Sequence, residues 1–290
     1  MSEPTRDFAP RAYRRRRATS RCAAVVLLTI VLISTTCGVA FGVVGGKTVS
    51  IKAAPWTVVV WEPNSPGHPR YAACTGVIID TRQILTAGHC VMSGNSAEPM
   101  SASAFTIEAG ASDFKHALKT DHPQFREVSG VRVMPGYIAG SKITDVNDVN
   151  AEGHDLAVLT LSRPLDLNGD DARAAYLPST HTREPSRKTT LVMAGFGSEN
   201  PNAAHPDANG TLNEVTKSTV PGGCSTTQVL CMYLTTDTCW GDSGSGAVEP
   251  GPRPTVVGIL SAGLNLCQPG ADFYVSLTAP AALRFVKTST

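Results

Sequence analysis

Cys239-Trp240-Gly241-Asp242-Ser243-Gly244 places a serine in a glycine-flanked turn beside an aspartate and a cysteine. Gly, Asp and Ser favour turns for backbone reasons of their own, so the hexapeptide alone fits either a polar turn or a held nucleophile. Two other segments favour the second reading: Thr86-Ala87-Gly88-His89-Cys90 and His154-Asp155-Leu156-Ala157-Val158-Leu159. Acyl transfer from an amide or ester needs a nucleophile, a base for its proton, a group that orients the base, and donors for the oxyanion. Ser243, His89 and Asp155 supply the first three types. A serine hydroxyl is a weak nucleophile at neutral pH, so it needs an imidazole within reach and a carboxylate that fixes the imidazole tautomer. Asp155 opens an apolar run, which suits a carboxylate held at the mouth of a core strand.

Short β-like runs recur around these residues and must position them: 57–61, 76–79, 83–86, 131–133, 156–161, 190–193, 229–234 and 256–260. Clusters of Gly, Pro, Asn and Asp separate them, and no alternation of strand with helix is visible, so an all-β sandwich or barrel is expected. Residues 279–288 alone have helical character, with Pro280 acceptable in a first turn. The polar stretch 168–188, with Pro178 and Pro185, reads as a linker between two halves.

The 290 residues are enough for one large β unit. Of 25 basic and 24 acidic side chains, residues 1–21 hold seven arginines and two acids, which leaves 18 against 22 for the rest. A mildly acidic body argues against nucleic acid as a partner, because phosphate binding needs a clustered basic surface. Residues 22–44 carry no charge and follow Arg14-Arg15-Arg16-Arg17 and Arg21. That order reads as an export signal over residues 1–42, with small residues Gly38, Ala40 and Gly42 at a cleavage region. The body is then secreted. The same apolar tract can be stretched to about 20 residues, enough to span a bilayer, and an uncleaved leader would anchor the body outside the membrane.

Six cysteines belong to the body: Cys74, Cys90, Cys224, Cys231, Cys239 and Cys267. An even number in an exported chain points to disulfides, with about 15 pairings open. No Cys-x-x-Cys pair occurs, so no metal site is expected. No cofactor is expected.

The order His89, Asp155, Ser243 in these contexts resembles the trypsin or chymotrypsin family of serine endopeptidases. Ala87-Gly88-His89-Cys90 is similar to the form in bacterial secreted members. Further likenesses run in order along residues 43–290: Val43-Val44-Gly45-Gly46 resembles the family's mature start, Pro55-Trp56-Thr57-Val58-Val59 its first core strand, and Ala194-Gly195-Phe196-Gly197 the strand end opening its second half. The resemblance implies two antiparallel six-stranded β-barrels, about 43–175 and 186–278, with a short C-terminal helix. It implies disulfides joining Cys74 with Cys90, Cys224 with Cys231 and Cys239 with Cys267.

It also assigns roles. The N–H groups of Gly241 and Ser243 become oxyanion donors, glycine permitting the turn's backbone conformation. Asp237 becomes the floor of a pocket that takes Arg or Lys of a protein or peptide substrate. Ser261 and Gly263 border an extended substrate backbone, and Gly270 lines the pocket. The amino group of Val43, once freed, pairs with Asp242. Gly42 is neither Lys nor Arg, so export and activation are expected to be one cut, with cleavage after Ala40 the alternative. A proteinaceous inhibitor is a conceivable partner, the chain is expected to be a monomer, and a non-catalytic binding module on the same fold is the alternative to an enzyme.

Overall fold

Short runs rich in Val, Ile and Leu, at 58–60, 77–79, 84–85 and 156–161, supply the core of the first half of the fold. The computed structural model describes residues 43, 45–62, 71–94, 96–116, 119–138, 152–186, 189–200, 210–218, 228–233, 238–264, 267–268 and 270–289. The chain divides into two units, Met1–Val39 and Ala40–Thr290, and all described residues belong to the second. The expected leader and the residues Cys224 and Asp237 therefore lie outside the described residues.

Strands β2 (Thr57–Glu62), β3 (Tyr71–Asp80), β4 (Gln83–Thr86), β5 (Thr106–Ala109), β6 (Gln124–Val133) and β7 (Ala157–Leu161) form a closed antiparallel barrel in the order β2-β3-β4-β7-β6-β5. Val58, Val60, Ile78, Ile84, Ile107, Leu159 and Leu161 are buried in one cluster. A slip of one residue in any of these strands would turn such side chains to the opposite face, at about 1.5–3 kcal/mol for each Val, Leu or Ile exposed. Register is set by that cost.

The second sheet joins seven strands in the order β1-β9-β8-β11-β12-β13-β10: β1 (Lys47–Thr48), β8 (Thr190–Gly195), β9 (Asn213–Ser218), β10 (Val229–Tyr233), β11 (Gly246–Glu249), β12 (Thr255–Gly263) and β13 (Ala271–Ser276). This corrects the expected pair of six-stranded barrels. Only the first closes among the described residues, because the short β1 occupies the free edge of β9 through Lys47 opposite Glu214 and Thr48 opposite Asn213. Residues 168–186 connect the halves without strands of their own, apart from a bridge of Tyr176 to Thr255.

A second cluster lies along the seam between the sheets. It combines Trp56, Val59, Val77, Leu85, Leu156 and Val158 from the first half with Phe196, Leu212, Val248, Ile259 and Val275 from the second. Helix α1 (Pro280–Ser289) adds Ala282, Phe285 and Val286 to it. Pro280 opens this helix, where its fixed φ and missing N–H cost nothing. Arg132 of β6 ties down the far end by donating from Nη1 to the Thr288 carbonyl at 2.8 Å.

Candidate active site

β4 ends at Thr86, directly on this seam, and a 3-10 turn (Gly88–Val91) follows it. A disulfide joins Cys90 of that turn to Cys74 of β3, with Cα atoms 6.2 Å apart, so the backbone of His89 is held from both sides. The start of β7 brings Asp155 to it. The N–H of His89 donates to Asp155 Oδ1 at 2.7 Å, and Nδ1 of its ring lies 2.8 Å from Oδ2. Asp155 is buried, whereas the His89 side chain is 36% exposed. A carboxylate accepts, which places the ring proton on Nδ1 and leaves Nε2 as the accepting atom, with Cys90 Sγ 3.8 Å from it.

Ser261 of β12 adds a third donor to this carboxylate, its Oγ lying 2.6 Å from Oδ2. A buried carboxylate needs such partners, since an unpaired one costs several times a normal hydrogen bond. Ser261 was expected beside the substrate backbone; its buried side chain also serves Asp155, a contact the sequence reading did not include.

The turn carrying Ser243 is fixed against the same elements. Thr75 of β3 donates its N–H to the Ser243 carbonyl at 2.9 Å and its hydroxyl to the Gly241 carbonyl at 2.9 Å. Gly244 donates to the Leu260 carbonyl, one residue before Ser261, at 2.9 Å. A Cβ on Gly244 would lie 2.2 Å from Thr86 Oγ1 and 2.3 Å from the Thr75 carbonyl oxygen, and its φ is 83°. Only glycine allows this approach. The Ser243 turn therefore rests on the end of β4, three residues before His89, and on the strand that carries Ser261. Thr75 was missed in the sequence, although it adjoins Cys74.

Backbone geometry around the turn sets where its N–H groups point. The Trp240 carbonyl accepts from Ser198 at 2.7 Å and the Asp242 carbonyl from Ser245 at 2.9 Å. In trans peptides the N–H points opposite the carbonyl of the same unit, and the chain has no cis bonds among the described residues. The N–H groups of Gly241 (φ 96°) and Ser243 are thus each directed away from those internal contacts.

Asp242 turns its side chain inward. Its Oδ1 accepts from Gly197 N–H at 2.8 Å and its Oδ2 from Cys239 N–H at 3.0 Å. A Cβ on Gly197 would come within 2.2 Å of this carboxylate, so the glycine exists to admit it. Burial pushes the carboxyl up to about 7, against the opposing effect of the two N–H donors. Val43 is buried, and in the chain as it stands its nitrogen is a peptide nitrogen following Gly42.

Cys239 pairs with Cys267, Cα atoms 4.4 Å apart, as expected. Cys231 is also in a disulfide. Among the described residues one cluster gathers three residues of metal-ligand type, Cys74, His89 and Cys90. Its cysteines are bonded to each other, so they offer no thiolate and the group does not fit a metal. Gly263 closes β12 opposite Asp272, and Gly270 immediately precedes β13. No helix among the described residues is long and apolar enough to cross a membrane.

Residues 43–283 match the family model described as Trypsin. Among curated proteins the chain is similar to Trypsin iota of Drosophila melanogaster, at 27% identity over 257 residues, covering 82% of this chain and 86% of that protein. It is similar to Trypsin of Phaedon cochleariae, at 27% identity over 240 residues, 78% of this chain and 80% of that one. Tonin of Rattus norvegicus shows 28% identity over 242 residues, with 78% and 80% covered. All three are animal proteins, so the bacterial likeness of the Ala-Gly-His-Cys segment gains no support from them.

Proposed function

Starting from the chain's membership of the trypsin family, which makes it a trypsin-like serine endopeptidase acting on peptide or protein substrates, we propose that it cleaves after Arg or Lys through Ser243, His89 and Asp155. The observation that carries this reading is the hydrogen-bonded set of Ser261, Asp155 and His89 seated against the Ser243 turn. In the first step Ser243 Oγ attacks the scissile carbonyl carbon while His89 Nε2 takes the hydroxyl proton. Asp155 stabilises the imidazolium and holds the ring so that Nε2 stays the accepting atom. The carbonyl electrons move to oxygen, and the N–H groups of Gly241 and Ser243 receive that charge. Collapse breaks the C–N bond, His89 returns its proton to the leaving amine, and an acyl-enzyme remains. Water then repeats the sequence with His89 again as base.

Asp237 supplies the anionic floor for the substrate's basic side chain, since a desolvated carboxylate discriminates sharply in favour of a cation. Gly263 and Gly270 border that pocket. The leader directs secretion, and cleavage after Gly42 frees Val43, whose ammonium then compensates the buried Asp242. Covalent labelling by a fluorophosphonate that disappears in Ser243→Ala tests the nucleophile. A cleavage profile across all residues before the scissile bond tests the pocket, and preference for Phe or Leu over Arg and Lys would sink that assignment.

A further inference from the structure

One buried ion pair has no part in the chemistry above. Lys217 of β9 and Asp272 of β13 have side chains 1% and 2% exposed, with Nζ 3.4 Å from Oδ2. The other oxygen, Oδ1, accepts from the Thr238 hydroxyl at 2.8 Å. In the sheet β9 and β13 are separated by β8, β11 and β12, so this contact crosses the concave interior of the curled sheet. Burying two opposite charges usually stabilises a fold no better than a packed apolar pair of similar size. Stability alone therefore gives no reason for a lysine and an aspartate here.

Their location gives one. Asp272 lies directly opposite Gly263 in the β12 and β13 register and two residues beyond Gly270. Thr238, which holds its Oδ1, follows Asp237 and precedes the disulfide-bonded Cys239 of the nucleophile turn. The Thr238 carbonyl accepts from Cys267 at 3.0 Å, so the nucleophile segment and the 261–272 segment close around the same carboxylate. Tyr274, two residues on, is fully buried; its hydroxyl has no hydrogen-bond partner among the described residues, and its ionisation is opposed by burial and then by Asp272 and Asp242. The region behind the turn is therefore polar and incompletely satisfied.

We propose that Lys217 is a resident cation of the substrate pocket: its ammonium neutralises Asp272 and so sets the charge that the pocket wall presents to the substrate side chain. The proposal rests on the pocket assignment made above and deepens it. Without Lys217, Asp272 becomes a further anionic site for a substrate guanidinium or ammonium. Without Asp272, Lys217 repels both. Lys217 is thus a positioning residue for specificity, acting through Asp272, and does not itself touch the reacting atoms.

The test uses the secreted, active enzyme and paired peptide substrates that differ only in Arg or Leu before the scissile bond. Assays run at alkaline pH, because burial raises the Asp272 carboxyl pKa. Lys217→Met is expected to raise the Arg to Leu ratio of kcat/KM about tenfold, and Asp272→Asn to lower it about tenfold. The double variant returns to within about threefold of the parent, and Lys217→Arg keeps the parent ratio. Equal losses on both substrates, with an unchanged ratio, would mean that the pair only holds the fold, and would overturn the proposal. Should Lys217→Met not fold, the Asp272→Asn ratio decides alone.

A second arm does not depend on activity. Lys217→Ala removes the equivalent of n-propylammonium, so that ion is expected to raise the thermal midpoint of Lys217→Ala and not that of the Lys217→Ala, Asp272→Asn double variant. No rise beyond that given by n-propanol with sodium overturns the cation site. If the parent enzyme cleaves neither substrate, the pocket assignment fails by itself, and the propylammonium arm still decides the role of Lys217.

Discussion

Ser261 and His89 share one oxygen of Asp155: the serine hydroxyl lies 2.6 Å from Oδ2 and the imidazole Nδ1 lies 2.8 Å from it. Removing the hydroxyl in Ser261→Ala leaves a buried carboxylate short of one donor, a loss of about 1.5–3 kcal/mol for a hydrogen bond to a charged group. Since that carboxylate holds His89, kcat should fall about tenfold or more with KM little changed. A KM effect alone, measured in steady-state kinetics, would mean that Ser261 serves the substrate and not Asp155.

Asp155→Asn keeps the shape and loses the charge. The amide can donate to Nδ1 and so favours the tautomer with the proton on Nε2, the atom that must accept. A fall in kcat of about 10,000-fold is expected at neutral pH, with fluorophosphonate labelling slowed in parallel.

Gly244→Ala tests the contact between the two halves. The new methyl meets the Thr86 hydroxyl and the Thr75 carbonyl far inside van der Waals range, on a residue with φ of 83°. A loss of about 2–4 kcal/mol is expected in denaturant unfolding, measured in a Ser243→Ala background to avoid self-cleavage. A change below about 0.5 kcal/mol would mean that the turn relaxes at no cost.

Asp242 and Glu108 give the uncut chain a shared pH signature. Burial raises both carboxyls to about 7, from ordinary values of 3.8 and 4.5. A raised acid favours the folded state in its neutral form, so this contribution is complete below the unfolded values and is lost as pH rises through about 7. The thermal midpoint of the uncut Ser243→Ala protein should therefore drop between about pH 4 and pH 7, and Asp242→Asn should flatten the drop. Freeing the Val43 amino group should flatten it too, by giving Asp242 a cation. A flat profile in the uncut parent contradicts this account.

The disulfide between Cys239 and Cys267 ties the Ser243 turn to the segment after β12 across 28 residues. Replacing both with serine should cost about 2–4 kcal/mol of stability. It should also raise KM for Arg substrates, because the Cys267 N–H anchors the Thr238 carbonyl.

Strands with uniformly apolar sequence were legible in advance: 83–86 matches β4 to the residue, and 57–61 and 229–234 match β2 and β10 to within one. Three of the five missed strands share a physical cause. β5 contains Glu108, β9 Lys217 and β13 Asp272, each buried and partnered by a residue distant in sequence. Glu108 accepts from Trp61 Nε1 at 2.9 Å, and Lys217 pairs with Asp272. A polar residue in a window of neighbours reads as surface, and only the tertiary partner reverses that reading. The His89 and Asp155 pair was legible because its contexts are local, whereas Thr75 and the side-chain role of Ser261 act through contacts that no short window contains.

His89 and Asp155 come from the closed barrel, while Ser243 and Ser261 come from the second sheet, and the two meet only at the seam. On the assignment proposed above, neither half alone holds the attacking group together with its base. A chain still being assembled, or one opened by heat, is in that state: it exposes many cleavable bonds while lacking the means to cut them. Self-digestion is consequently a bimolecular event, in which a finished molecule attacks an unfinished neighbour, and its rate should rise with protein concentration and vanish at high dilution.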